Sequence, residues 1–114
     1  KKNRFWKLPH ILIIMIKTYD ENRQKIDHNL EYPMELDMTP FCFNYKNESL
    51  NYELNSLCIH NGSLNGGHYY AYCKNYKDNH WREYNDTRVS SPLEESEILN
   101  QKPYCLFYKR ITDE

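Results

Sequence analysis

The 114-residue sequence predicts an α+β fold, mostly antiparallel β-sheet with one short helix. Three observations predict it. Apolar or alternating runs of strand length recur along the chain, bounded by clusters of Asn, Asp, Gly and Pro. Two of these runs, His68 to Lys74 and His80 to Asn85, flank a polar turn and so read as a hairpin. Only one stretch, beginning at Ser91, carries a helix start signal.

The elements follow in order. Ile11 to Tyr19 opens with six consecutive apolar residues, mostly β-branched, with no helical or alternating period, which predicts a strand buried on both faces. A second strand is expected over Lys25 to Tyr32, ended or placed at an edge by Pro33, followed by irregular connection over residues 33 to 50. From Tyr52 to His60 comes another strand. There, Tyr52 and Leu54 share one face while Leu57 and Ile59 share the other, so either both faces are covered or a bulge intervenes.

All three glycines fall within six positions, at 62, 66 and 67, which marks residues 61 to 67 as a loop needing close backbone approach or positive backbone angles. The strand after it places His68, Tyr70 and Tyr72 on one face and Tyr69, Ala71 and Cys73 on the other. Residues 75 to 79 form a turn, and the returning strand carries Trp81, Glu83 and Asn85 on one face and Tyr84 and Asp86 on the other. Ser91 as cap, Pro92 in the first helical position and Glu94 three residues on predict a helix running to about Leu99. Tyr104 to Lys109 closes the sheet as a last strand.

Size and composition bound the function. A chain of this length supports one compact domain. Its 15 basic and 16 acidic residues nearly cancel, so no whole-molecule field draws it to nucleic acid. The longest apolar run is six residues, against about twenty for a membrane-spanning helix. Cys42, Cys58, Cys73 and Cys105 show no CxxC spacing, and no signal peptide precedes them, so reduced thiols in an intracellular protein, cytoplasmic or nuclear, are expected. The triplets Asn-X-Ser/Thr at Asn47, Asn61 and Asn85 then carry no weight as glycosylation sites. Lys1 in place of a methionine suggests that more polypeptide precedes it.

One constellation carries chemistry. A histidine beside two glycines at the start of a strand lets a substrate backbone lie against the imidazole. A hairpin symmetric about residues 76 and 77 places His68 directly opposite Asn85 on the same face, with Cβ atoms about 5 Å apart. The Asn85 oxygen then accepts from the imidazole Nδ1 hydrogen and leaves Nε2 to exchange a proton with a thiol, as in a Cys-His-Asn site. Asp86 is the rival orienter, reached only if a bulge or a one-residue register change intervenes. Each residue also has an ordinary structural use, a loop histidine bound to a carbonyl or an Asn-Asp pair shaping a strand end.

The stretches Leu57 to Tyr72, containing Gly66-Gly67-His68-Tyr69, and Trp81-Arg82-Glu83-Tyr84-Asn85-Asp86-Thr87-Arg88-Val89 resemble the His box of ubiquitin-specific proteases. Leu8-Pro9, Lys25-Ile26 through Tyr32-Pro33-Met34-Glu35-Leu36-Asp37 and Tyr104 to Arg110 extend the resemblance over essentially the whole chain. It implies the C-terminal, palm-like part of a papain-like cysteine peptidase fold, with His68 as general base and acid and Asn85 or Asp86 orienting it. It further implies contacts to the Gly-Gly tail of ubiquitin from Gly66, Gly67, Tyr69 and Thr18, and a monomer acting on ubiquitin or ubiquitinated proteins without a cofactor.

Two departures stand out. Met15-Ile16-Lys17-Thr18 occupies the place where the family usually reads Leu-Lys-Arg-Phe, and no cysteine here has the setting of the family's Cys box. The zinc-binding CxxC pairs are also missing, and a metal site from Cys58, His60, His68 and Cys73 lacks standard ligand spacing. The expected function is therefore the histidine half of a deubiquitinating cysteine protease, inactive alone. The alternatives are an inactive ubiquitin-binding scaffold of the same family or a plain β-rich interaction domain.

Overall fold

The computed structural model describes residues 8–16, 31–42, 50–63 and 66–111. Among these, seven strands form one antiparallel sheet: β1 (Ile11–Met15), β2 (Glu35–Asp37), β3 (Asn51–Ser63), β4 (Gly66–Asn75), β5 (His80–Asn85), β6 (Arg88–Val89) and β7 (Cys105–Arg110). The order across the sheet is β1-β7-β3-β4-β5-β6, and β2 pairs with the start of β3. One helix, α1 (Glu95–Leu99), completes the expected α+β class. No helix among the described residues is long and apolar enough to cross a membrane.

The core lies on one face of the sheet, and a bulge in β3 makes that arrangement work. Against β7, Leu54 pairs with Tyr108 and Ser56 with Phe107, so the register shifts at Asn55. The extra residue reverses the alternation, and Tyr52, Leu54, Leu57 and Ile59 all turn to the same side, where each is buried. This settles the choice between two covered faces and a bulge in favour of the bulge. Leu106, Tyr108, Tyr72, Trp81 and Ile98 of α1 join them in one cluster.

Buried tyrosines tie backbone outside the sheet to this layer. The Tyr32 hydroxyl donates to the Ile98 carbonyl at 2.5 Å, Tyr52 to Pro9 at 2.5 Å and Tyr108 to Pro33 at 2.8 Å. Each ring supplies apolar area while its hydroxyl satisfies a carbonyl that no strand pairs, which gives the tyrosine-rich composition a structural use.

Several expectations need correction. β1 is not buried on both faces: Leu12 and Ile14 pack against the core, but Ile11, Ile13 and Met15 are 42%, 54% and 66% exposed. β1 is an edge strand, and these three side chains project from the face opposite the core. The strand expected over Lys25 to Tyr32 lies almost wholly outside the described residues, as do residues 17 to 19 of the first strand. The connection after Pro33 is more regular than expected, holding β2 and a 3₁₀ turn at Thr39–Phe41.

The described part of the glycine segment is strand, not loop. Gly62 pairs with Gly67 and Ser63 with Gly66, so β3 and β4 continue almost to their connection. Gly67 has φ +155, and a Cβ there would press on the His60 ring and lie 2.8 Å from the Asn61 carbonyl oxygen. This is a place for close backbone approach.

The helix begins later than Ser91 because residues 90 to 93 stay extended beside β5. The Ser90 amide donates to the Glu83 carbonyl at 2.9 Å and the Leu93 amide to the Trp81 carbonyl at 2.8 Å. Glu94 then caps α1 in a reciprocal capping box with Glu97, and the helix ends at Leu99 as expected.

Candidate active site

The site forms at one end of the β4–β5 hairpin. Along the core face of β4 the side chains grade outward from buried Tyr72 through half-buried Tyr70 to exposed His68. The covering layer stops before the strand does, so the imidazole is backed by protein on one side and open on the other. Its ring stacks on Tyr70 with centroids 5.9 Å apart.

The turn sets the register that brings Asn85 to it. Asn75 Oδ1 accepts from the Lys77 amide at 2.8 Å, Asp78 Oδ1 from the His80 amide at 3.0 Å, and Asn79 adopts φ 61. These local bonds build a turn over residues 76 to 79 closed by the pair Asn75 and His80, and the ladder runs from there to Ala71 opposite Tyr84. Continued one step at a time, that ladder would set Thr87, not Asn85, across from His68. The expected register is thus off by two residues. An even offset preserves the face, so His68 and Asn85 still share a side and meet along the diagonal.

They meet as hydrogen-bond partners: His68 Nε2–H donates to Asn85 Oδ1. The ring nitrogen differs from the one expected. With the proton on Nε2, Nδ1 carries the lone pair and is the nitrogen that can accept a proton. The amide continues the chain, for Asn85 Nδ2–H donates to Glu83 Oε2 at 3.2 Å. The Tyr72 hydroxyl donates to the other oxygen, Glu83 Oε1, at 3.3 Å. Burial, first, and the neighbouring Glu83 charge push the Tyr72 phenol up to about 12, so it stays a donor at neutral pH. Glu83 and Tyr72 had no functional role in the sequence reading. Their signal was positional: Glu83 lies two residues before Asn85 on the same strand face, and Tyr72 lies opposite Glu83.

The remaining candidates lie around this dyad. Asp86 follows Asn85 in the turn to β6, exposed and with φ 56. Gly66 and Gly67 form the end of the hairpin immediately before His68. Tyr69 is 62% exposed on the opposite face, where its ring stacks on His60 at 4.5 Å and meets Tyr104 edge-on at 5.7 Å. Thr18 lies outside the described residues.

The four cysteines, all described, are thiols. Cys58 pairs with Ala71 and with Cys105, so Cys58, Cys73 and Cys105 share the face opposite His68. Burial raises the pKa of each of these three thiols, which keeps them protonated and weak as nucleophiles. Cys58, His60 and Cys73 likewise face away from His68, so these four residues do not converge on a metal. Among the described residues no group of three or more His, Cys, Asp or Glu side chains could hold one.

Comparison with known proteins points to one family. The family model described as ubiquitin carboxyl-terminal hydrolase matches residues 1–108. Ubiquitin carboxyl-terminal hydrolase 9 of Arabidopsis thaliana is 42% identical over 118 residues, a match that covers 100% of this chain and 13% of that protein. Ubiquitin carboxyl-terminal hydrolase 15 of Rattus norvegicus is 35% identical, covering 96% of this chain and 12% of its own length. Among solved structures, a chain of the Ubp8-Sgf11-Sgf73-Sus1 SAGA DUB module superposes with a TM-score of 0.79 at 32% identity, over 93% of this chain and 25% of that one. A chain of the Ubp8/Sgf11/Sus1/Sgf73 module bound to ubiquitin aldehyde matches with a TM-score of 0.76 at 30% identity, over 94% and 26%.

Proposed function

Because the chain belongs to the ubiquitin carboxyl-terminal hydrolase family, we propose that it supplies the general base of a deubiquitinating cysteine protease and the residue that orients it. The observation that carries this reading is the bond from His68 Nε2–H to Asn85 Oδ1 at the open end of the sheet. That bond selects the tautomer in which Nδ1 is unprotonated and aims the ring. A thiol brought to Nδ1 gives up its proton to His68, and the thiolate attacks the carbonyl of the last glycine of ubiquitin. His68 then returns the proton to the leaving amine, and a water activated in the same way hydrolyses the thioester. Ubiquitin as the ligand is supported by the solved relative bound to ubiquitin aldehyde.

The thiol and the oxyanion donors come, in this reading, from outside these 114 residues. Its support is that Cys58, Cys73 and Cys105 lie on the far face, and that the chain spans 13% of the Arabidopsis relative. In this reading the end of the hairpin at Gly66 and Gly67 lies along the path of the ubiquitin tail, and Asp86 is the second candidate for orienting His68. Thr18 and the exposed Tyr69 are the further tail contacts of this proposal. An intracellular monomer belongs to it as well.

The test uses the complete protein. His68→Ala should abolish cleavage of a fluorogenic ubiquitin conjugate and leave the melting temperature unchanged, since the exposed ring contributes little packing. Turnover at the parent rate would remove His68 from the mechanism. An inactive parent protein that still binds ubiquitin would favour the scaffold reading instead.

A further inference from the structure

Asn85 poses a problem that a carboxylate in its place would not. Its amide has an acceptor end and a donor end of nearly the same shape, and only one orientation serves the base. With Oδ1 toward the ring, Nε2 keeps its proton and Nδ1 its lone pair. Rotated by half a turn, the amide would offer Nδ2–H to Nε2, which must then accept, and the ring proton would move to Nδ1. The nitrogen that should take the thiol proton would already hold one.

We propose that Glu83 is a positioning residue that prevents this rotation, by accepting from Asn85 Nδ2 with a group that cannot donate. This rests on the reading of His68 as the base. Glu83 Oε2 lies 3.2 Å from Asn85 Nδ2. If the amide were reversed, Oδ1 would face that carboxylate oxygen, two acceptors in contact with no hydrogen between them.

Glu83 is itself held at both ends. The Tyr72 hydroxyl donates to Oε1 at 3.3 Å, and the Glu83 amide donates to Ser90 Oγ at 2.8 Å, fixing the strand beneath the side chain. Tyr72 is buried, so its donor has a fixed origin, and its phenol stays protonated at neutral pH. Order therefore passes from the core to the open site: buried Tyr72, half-buried Glu83 and Asn85, then exposed His68.

The experiment compares Glu83→Gln in two backgrounds of the complete protein, with His68→Ala as control. Gln keeps the size and packing of Glu but can pair with the amide in either orientation. In the Asn85 background kcat should fall about tenfold, the worth of one charge-assisted bond, with KM and melting temperature unchanged. In an Asn85→Asp background the orienter has no donor end to misplace, and two neighbouring carboxylates repel. There, Glu83→Gln should leave kcat unchanged or raise it.

A kcat within about threefold of the parent in the Asn85 background overturns the proposal. An equal loss in both backgrounds overturns it too, since a merely structural role would not depend on residue 85. If His68→Ala is fully active, the functional reading fails. If His68→Ala is inactive and Glu83→Gln is not impaired, only the role of Glu83 fails.

Discussion

At the scale of single residues, the question left by the sequence was which of two adjacent side chains orients His68. Asn85 makes the bond, while Asp86 occupies the turn beyond it, exposed, with φ 56. A left-handed backbone angle explains why Asp stands there without any catalytic demand, because Asp tolerates that region better than most residues. The comparison that separates the two roles uses Asn85→Ala and Asp86→Gly in the complete protein, since glycine removes the carboxylate while keeping the backbone free to adopt the turn. Asn85→Ala should lower kcat on ubiquitin conjugates by about a hundredfold or more, as expected when a base loses its tautomer control. Asp86→Gly should cost less. The reverse order would make Asp86 the orienter and the Asn85 contact incidental.

At the scale of elements, the β3 bulge is the feature on which the core depends. Deleting Asn55 would restore strict alternation and turn Tyr52 and Leu54 away from the face that holds Leu57 and Ile59. Both are now almost fully buried, and each exposed side chain forfeits about 1.5–3 kcal/mol, a large part of the stability of a small domain. The deletion should therefore abolish cooperative unfolding in a circular dichroism melt. Asn55→Gly, which keeps the extra residue, should remain folded. A folded deletion variant would show that the alternation can be repaired elsewhere.

The same elements show what sequence reading reaches. The hairpin, its faces, the closing strand and the end of the helix were legible, because alternation and turn residues are local signals. The register was not, since the Asx bonds at Asn75 and Asp78 lengthen the turn and move every pairing by two. His68 and Asn85 nevertheless meet, because an even slip leaves their face unchanged. The solvent exposure of Ile11, Ile13 and Met15 was not legible either: an unbroken apolar run reads as doubly buried, whichever polypeptide covers its second face. Nor was the choice of ring nitrogen, which is set by the side-chain rotamer of His68 and has no signature in the sequence.

At the scale of the whole molecule, the two faces of the sheet divide the chemistry. His68, Asn85, Glu83 and Tyr72 share the core face, and Cys58, Cys73 and Cys105 share the other. A thiol on the far side of a β-sheet cannot reach the imidazole without the strand turning over, a change that would expose Leu57, Ile59 and Tyr72 together. Burial also keeps those three thiols protonated at neutral pH. The 114 residues expressed alone should therefore release no fluorophore from a ubiquitin conjugate at any enzyme concentration that leaves the substrate in excess. An iodoacetamide-sensitive activity in that preparation would contradict the division of faces. Substituting the four cysteines one at a time would then show which thiol had reached His68, with Cys42, buried after the 3₁₀ turn, as the first to replace because it is not part of the cysteine face.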